Sequence, residues 1–173
     1  TECAPPVDER SILVSIFRLA GGERWFRNDF WDTPTDHCDW YGVACMDGQV
    51  VLINLQGNNL HGELTPRIFD LPKLQVLWLG MNPLKLSFGN IGRATGLLDL
   101  RLESVELLST KGLERAKGLA VLDLRRNSLD SFPVQVFDLH NLRILELGAN
   151  KISGPIPERF SSLAFLRTLR MQD

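Results

Sequence analysis

The pattern that most restricts this chain is a fixed spacing of leucines around one asparagine. Between positions 142 and 157, the apolar residues Leu142, Leu145, Leu147, Ile152 and Ile156 surround Asn150. The same template recurs at Leu119, Leu122, Leu124, Asn127 and Leu129, and again at Leu74, Leu77, Leu79, Asn82 and Leu84. Val50, Ile53, Leu55, Asn58 and Leu60 fit it with conservative exchanges. Leu97, Leu100, Leu102 and Leu107 fit it with Val105 in the asparagine position, and a sixth copy opens at Leu166, Leu169 and Met171. Starts at 50, 74, 97, 119, 142 and 166 lie 24, 23, 22, 23 and 24 residues apart. A unit this short cannot bury its own leucines, so its neighbours must cover them, and the chain is required to be a solenoid.

Each L-x-L triplet sends alternate side chains inward from a short strand, and successive strands pair into a parallel sheet. The full template, L-x-x-L-x-L-x-x-N-x-L, is the leucine-rich repeat signature. The expected fold is therefore an α/β solenoid, a right-handed superhelix with a parallel concave sheet. Asn58, Asn82, Asn127 and Asn150 are expected to form a structural ladder, their amides bonding backbone of adjacent turns where the chain leaves each strand. Val105 breaks that ladder and predicts irregularity over residues 103–112. On the convex side, Ile68, Leu71, Ile91, Phe137, Leu139, Phe160 and Leu163 are expected to fill the core.

A length of 173 residues, 44% hydrophobic and 23% charged, suits one soluble domain. It divides into an N-terminal cap over residues 1–49 and repeats over 50–173, the last one incomplete. The net charge of −2 argues against general nucleic-acid binding. No apolar run approaches the length of a membrane-spanning helix. The sixth strand is followed by no capping element before Asp173, so its edge is expected to be covered by further residues of the same polypeptide or by a partner chain.

Ahead of the repeats, a helix is expected over about 8–20. Asp8 serves as its N-cap, Glu9 suits the first turn and Gly21 the C-terminal end, while Ile12, Leu13, Ile16, Phe17 and Leu19 form one apolar face. Trp25, Trp31 and Trp40 follow, with Phe26, Phe30 and Tyr41 beside them, and are expected to pack under the cap rather than to line a ligand cage. Cys38 and Cys45 lie in C-D-W-Y-G-V-A-C. A bridge closing this loop would contribute about 2.5 kcal/mol. A zinc site is the rival reading, poorly served by three cysteines without a C-x-x-C pair. Cys3 would be free, paired with another chain, or without its partner.

A-G-G-E-R-W, then W-D, then C-D-W-Y-G-V-A-C running into V-V-L-I-N-L, resembles the N-terminal cap of plant-type leucine-rich repeat proteins. That cap heads receptor-like kinase ectodomains, polygalacturonase-inhibiting proteins and algal and protist repeat proteins. The resemblance implies a Cys38–Cys45 disulfide. His37 stands where some members carry a further cysteine that bonds one near the N-terminus, so Cys3 lacks that partner. The half-repeat G-x-I-P of this family is intact only at Gly154–Pro157. The second sheet that such proteins can form is accordingly not expected.

Function then rests on the concave face. His37, His61 and His140 have no neighbouring nucleophile, acid or metal-ligand pattern, and no G-x-S-x-G, H-E-x-x-H or phosphate loop occurs. The sequence therefore gives no catalytic, cofactor or metal site. The residues between the inward leucines read Asn54, Trp78, Arg101, Asp123, Glu146 and Arg170. With Arg125 beside them, Trp78, Arg101, Asp123, Glu146 and Arg170 are the candidate partner-binding residues, since Trp and Arg are favoured interface anchors. Arg101–Asp123 and Glu146–Arg170 are expected as cross-strand ion pairs. The sequence points to a non-enzymatic module for a protein partner, an oligosaccharide being the less favoured ligand, in an extracellular or other oxidising compartment. The alternatives are a secreted inhibitor or ligand-binding domain like the polygalacturonase-inhibiting proteins, and a structural subunit of a larger complex.

Overall fold

The computed structural model describes residues 7–172. Cys3 lies outside them, as does Asp173. Helix α1 covers Glu9–Leu19; the Asp8 side chain accepts from the Ser11 N–H at its start, and Gly21 takes the left-handed conformation just beyond its end. Ile12, Leu13 and Ile16 point into the core, as does Ala20 just past the helix, but Leu19 is exposed. The strands are β1 (Val43–Met46), β2 (Gln49–Asn54), β3 (Gly62–Glu63), β4 (Val76–Trp78), β5 (Leu84–Lys85), β6 (Asp99–Arg101), β7 (Val121–Asp123), β8 (Ile144–Glu146) and β9 (Thr168–Arg170).

Seven strands form the main sheet in the order β1-β2-β4-β6-β7-β8-β9. All neighbours from β2 onward are parallel and keep one register. Only β1 runs antiparallel, against β2, with an irregularity between Ala44 and Cys45. It covers the first sheet edge, and the Cys38–Cys45 disulfide fastens it to the cap across a Cα–Cα distance of 5.5 Å. The two sulfurs are bonded to one another, so these cysteines are not zinc ligands. Glu9 ties the helix to the same edge by accepting the Val50 N–H at 2.8 Å.

Inward leucines stack in rows. Ile53, Leu77, Leu100, Leu122 and Leu145 are fully buried, and short 3-10 turns at Pro66–Asp70, Ile91–Arg93, Leu113–Arg115, Val134–Asp138 and Glu158–Ser162 close the convex side. Proline stands at or beside the start of three of these turns (Pro66, Pro133, Pro157), where its fixed φ suits a first turn. Leu169, in the sixth row, is 38% exposed where Leu145 is 0%. A second sheet does exist, contrary to the expectation from the half-repeats: β3 and β5 pair in parallel. Among the described residues it has only these two strands.

The asparagines join the turns. Asn82 Oδ1 accepts the N–H groups of Asn58 and Leu60, while its Nδ2 donates to the carbonyls of Leu55, Leu79 and Gly80. Asn127 repeats the arrangement on Val105 and Leu107, donating to Leu102, Leu124 and Arg125. At the missing rung, Leu84 turns its N–H to the carbonyl of Asn82 instead. Each rung is preceded by a residue with φ between 52 and 60: Gly57, Met81, Ser104, Arg126 and Ala149.

Two stability experiments follow. Asn127→Ala leaves the buried N–H groups of Val105 and Leu107 and the Leu102 carbonyl without the amide that pairs them and is expected to cost about 3 kcal/mol in urea unfolding, with the half-exposed Asn150→Ala costing about 1 kcal/mol. Replacing Cys38 and Cys45 together by serine is expected to lower stability by about 2.5 kcal/mol, read in the same unfolding assay.

Candidate functional site

Strand register fixes the concave surface. Side chains alternate across a strand, so each three-residue strand presents its first and third residues outward and buries the middle one. One outward column reads Leu52, Val76, Asp99, Val121, Ile144 and Thr168; the next reads Asn54, Trp78, Arg101, Asp123, Glu146 and Arg170. At roughly 4.8 Å per row the six rows span about 24 Å. Sequence reasoning singled out the second column and missed the first. The alternation two residues upstream of each central position was the available signal.

The first column changes the ion pairs. Arg101 does not reach across to Asp123. It folds back along its own strand and grips Asp99, Nε at 3.0 Å from Oδ1 and Nη2 at 2.9 Å from Oδ2. Asp123 is held in the same way by Arg125, at 3.0 and 2.7 Å, and Arg125 also reaches Glu103 at 3.5 Å. A bidentate fork to a carboxylate two residues away needs no match between strands, and it outcompetes the single contact available across the sheet. Glu146 and Arg170 do pair across strands, at 2.5 Å. Arg126 adds a contact to Glu103 at 3.6 Å.

These pairs are layered. The side chains of Asp99, Glu103, Asp123 and Glu146 are 17%, 14%, 7% and 9% exposed, against 42% for Arg101 and for Arg125 and 69% for Arg170. The carboxylates therefore form the floor and the guanidiniums the outer surface. Their hydrogen bonds to Asp99 and Asp123 hold Arg101 and Arg125 above the ordinary arginine pKa, so both stay charged under all working conditions. Trp78 sits beside this layer with the Arg101 guanidinium 4.5 Å over its ring centre. Its Nε1 finds no hydrogen-bond partner among the described residues.

A cavity of about 260 Å³ opens in the same surface. Val121 and Ile144 form its apolar floor, Asp123 and Glu146 its acidic wall, and Arg101, Arg125 and Arg170 its rim. One oxygen of Glu146, Oε2, is buried with no hydrogen-bond partner among the described residues.

The cap aromatics do different work. Trp25, Trp31 and Trp40 are buried and in mutual contact, with ring centres 5.0 Å apart for each neighbouring pair. Their indole N–H groups are spent on the carbonyls of Ala20, Tyr41 and Thr35. They are core, with no free edge to offer a ligand. No helix among the described residues is long and apolar enough to cross a membrane.

The comparisons with known proteins agree with this geometry. A family model described as leucine rich repeat matches residues 117–173. Receptor-like protein 49 of Arabidopsis thaliana is 36% identical over 143 residues, 76% of this chain, and the chain spans only 16% of that protein. Among solved structures, a plant ice-binding protein superposes with a TM-score of 0.77 and 28% identity, over 94% of this chain and 54% of its own. The plant peptide hormone receptor RGFR1 in complex with RGF2 gives a TM-score of 0.66 and 33% identity, over 78% of this chain and 21% of its own.

The half-exposed guanidiniums predict little dependence of folding on any one pair. Arg101→Ala is expected to change the free energy of unfolding by less than about 1 kcal/mol. Thermal or urea unfolding of the variant checks this, and a larger loss would mark Arg101 as part of the framework.

Proposed function

Because the chain belongs to the plant-type leucine-rich repeat proteins with a cysteine-bonded N-terminal cap, we propose that it acts as a non-enzymatic interaction module. It binds a protein or peptide partner through the concave face, in an extracellular or other oxidising compartment. Residues 1–49 serve as its cap and residues 50–173 as the recognition surface. The observation that carries this reading is the layered concave face: Trp78 beside arginines that are already oriented by buried carboxylates. Fixed side chains lose little further freedom on binding, which favours a specific contact over a merely hydrated surface. Trp and Arg are also the residue types that dominate binding energy in protein interfaces. RGFR1, a relative in fold, was solved with RGF2 bound. The disulfide supports an oxidising compartment.

The test begins with mass spectrometry of what co-purifies with the chain from its native source. Against that partner, Trp78→Ala is expected to weaken binding by about 2 kcal/mol, roughly thirtyfold, with the fold intact. Arg101→Ala and Arg125→Ala are expected to cost less and to alter the salt dependence of association. Unchanged affinity in the Trp78→Ala/Arg101→Ala double variant would move the partner surface to the convex side or the ends.

A further inference from the structure

We propose that the cavity between Arg125 and Arg170 is the specificity subsite of the concave face and takes a neutral primary carboxamide, a glutamine or asparagine side chain of the partner. This rests on the reading of the concave face as the partner surface.

The first ground is the acceptor in the cavity wall. Glu146 has a side chain only 9% exposed; its Oε1 is taken by Arg170, and its Oε2 has no partner among the described residues. That oxygen is already shut off from water, so its desolvation goes uncompensated until a donor reaches it. Arg170, 69% exposed, holds Oε1 and neutralises the carboxylate.

Charge supplies the second ground. Arg101, Arg125, Arg126 and Arg170 face Asp99, Glu103, Asp123 and Glu146, four charges of each sign, and every guanidinium has a carboxylate within 3.6 Å. A carboxylate or ammonium entering this balanced, part-buried site would bring one uncompensated charge with it.

Unused donors are the third. Arg101 and Arg125 spend Nε and Nη2 on their carboxylates, and their Nη1 groups make no hydrogen bond among the described residues. The cavity thus offers donors at its rim, an acceptor in its wall and aliphatic floor at Val121 and Ile144. A carboxamide is the side-chain group that answers all of these. Its oxygen accepts from Nη1, its NH₂ donates to Glu146 Oε2, and its short methylene stem covers the floor.

Titrating the isotopically labelled 173-residue chain with N-acetylglutaminamide, followed by NMR, tests the assignment. Backbone amides of residues 121–125, 144–147 and 168–170 should shift. Saturation should come in the millimolar range, at least about fivefold tighter than with the matching glutamate, lysine and norvaline amides. Arg170→Ala removes the charge that neutralises Glu146 and should transfer the preference to the lysine amide. Equal binding of a charged or aliphatic probe, tighter binding of cellotetraose at the same amides, absence of shifts, or an unchanged preference in Arg170→Ala would each overturn the subsite. A partner that still depends on Trp78 would, in that event, leave the concave-face reading in place and remove the subsite alone.

Discussion

The turns of this solenoid leave their strands with backbone N–H and C=O groups that strand pairing does not satisfy. Buried and unpaired, such groups would each cost about as much as a lost hydrogen bond. The asparagine ladder meets the need, and the leucine rows depend on it, since a slipped turn would misplace both. The ladder requires one left-handed residue before each rung to swing the amide inward. Met81, Arg126 and Ala149 accept that conformation at φ of 52–56, although L-residues disfavour it. The five side-chain bonds at Asn82 and the five at Asn127 outweigh a strain of about 1–3 kcal/mol at the turn.

The N-terminal cap works because it imitates a rung. Asn58 is the first ladder asparagine, and it reaches into the cap: its Oδ1 accepts the Arg27 N–H at 2.8 Å, and its Nδ2 donates to the Arg27 carbonyl at 2.8 Å. The segment around Arg27 therefore presents backbone to Asn58 much as the turn around Asn58 presents it to Asn82. Behind that segment the three tryptophans and Phe17 replace leucines as the buried surface. Antiparallel β1 does for the sheet edge what the Arg27 segment does for the ladder.

The period of the leucines carried most of this in the sequence, because rows in contact must repeat at the length of one turn. The central concave column was legible for the same reason. Its partners were not. Whether Arg101 bonds Asp123 across the sheet or Asp99 along its own strand depends on side-chain conformation, and both carboxylates sit at permitted spacings. The two-stranded second sheet was hidden for a related reason. It needs only backbone in extended conformation at Gly62–Glu63 and Leu84–Lys85, which the poorly kept half-repeat motif does not announce. Nor could spacing distinguish a tryptophan cage from a tryptophan core; that turned on three carbonyls, of Ala20, Tyr41 and Thr35, each contributed by irregular chain.

The layering of charge on the concave face changes what such a surface can recognise. Arginines scattered over a wet sheet would attract any anion and lose that attraction in salt. Here each guanidinium lies above a carboxylate that is 17% exposed or less, so the long-range field is largely cancelled. What survives is short-range: N–H edges held in place, one indole ring under Arg101, and aliphatic patches between them. A face built this way discriminates by hydrogen-bond geometry at contact and contributes little to steering from a distance. The solenoid supplies the rigidity that such discrimination needs, because strands β4, β6, β7 and β8 are each fixed by neighbours on both sides and by the buried rows beneath.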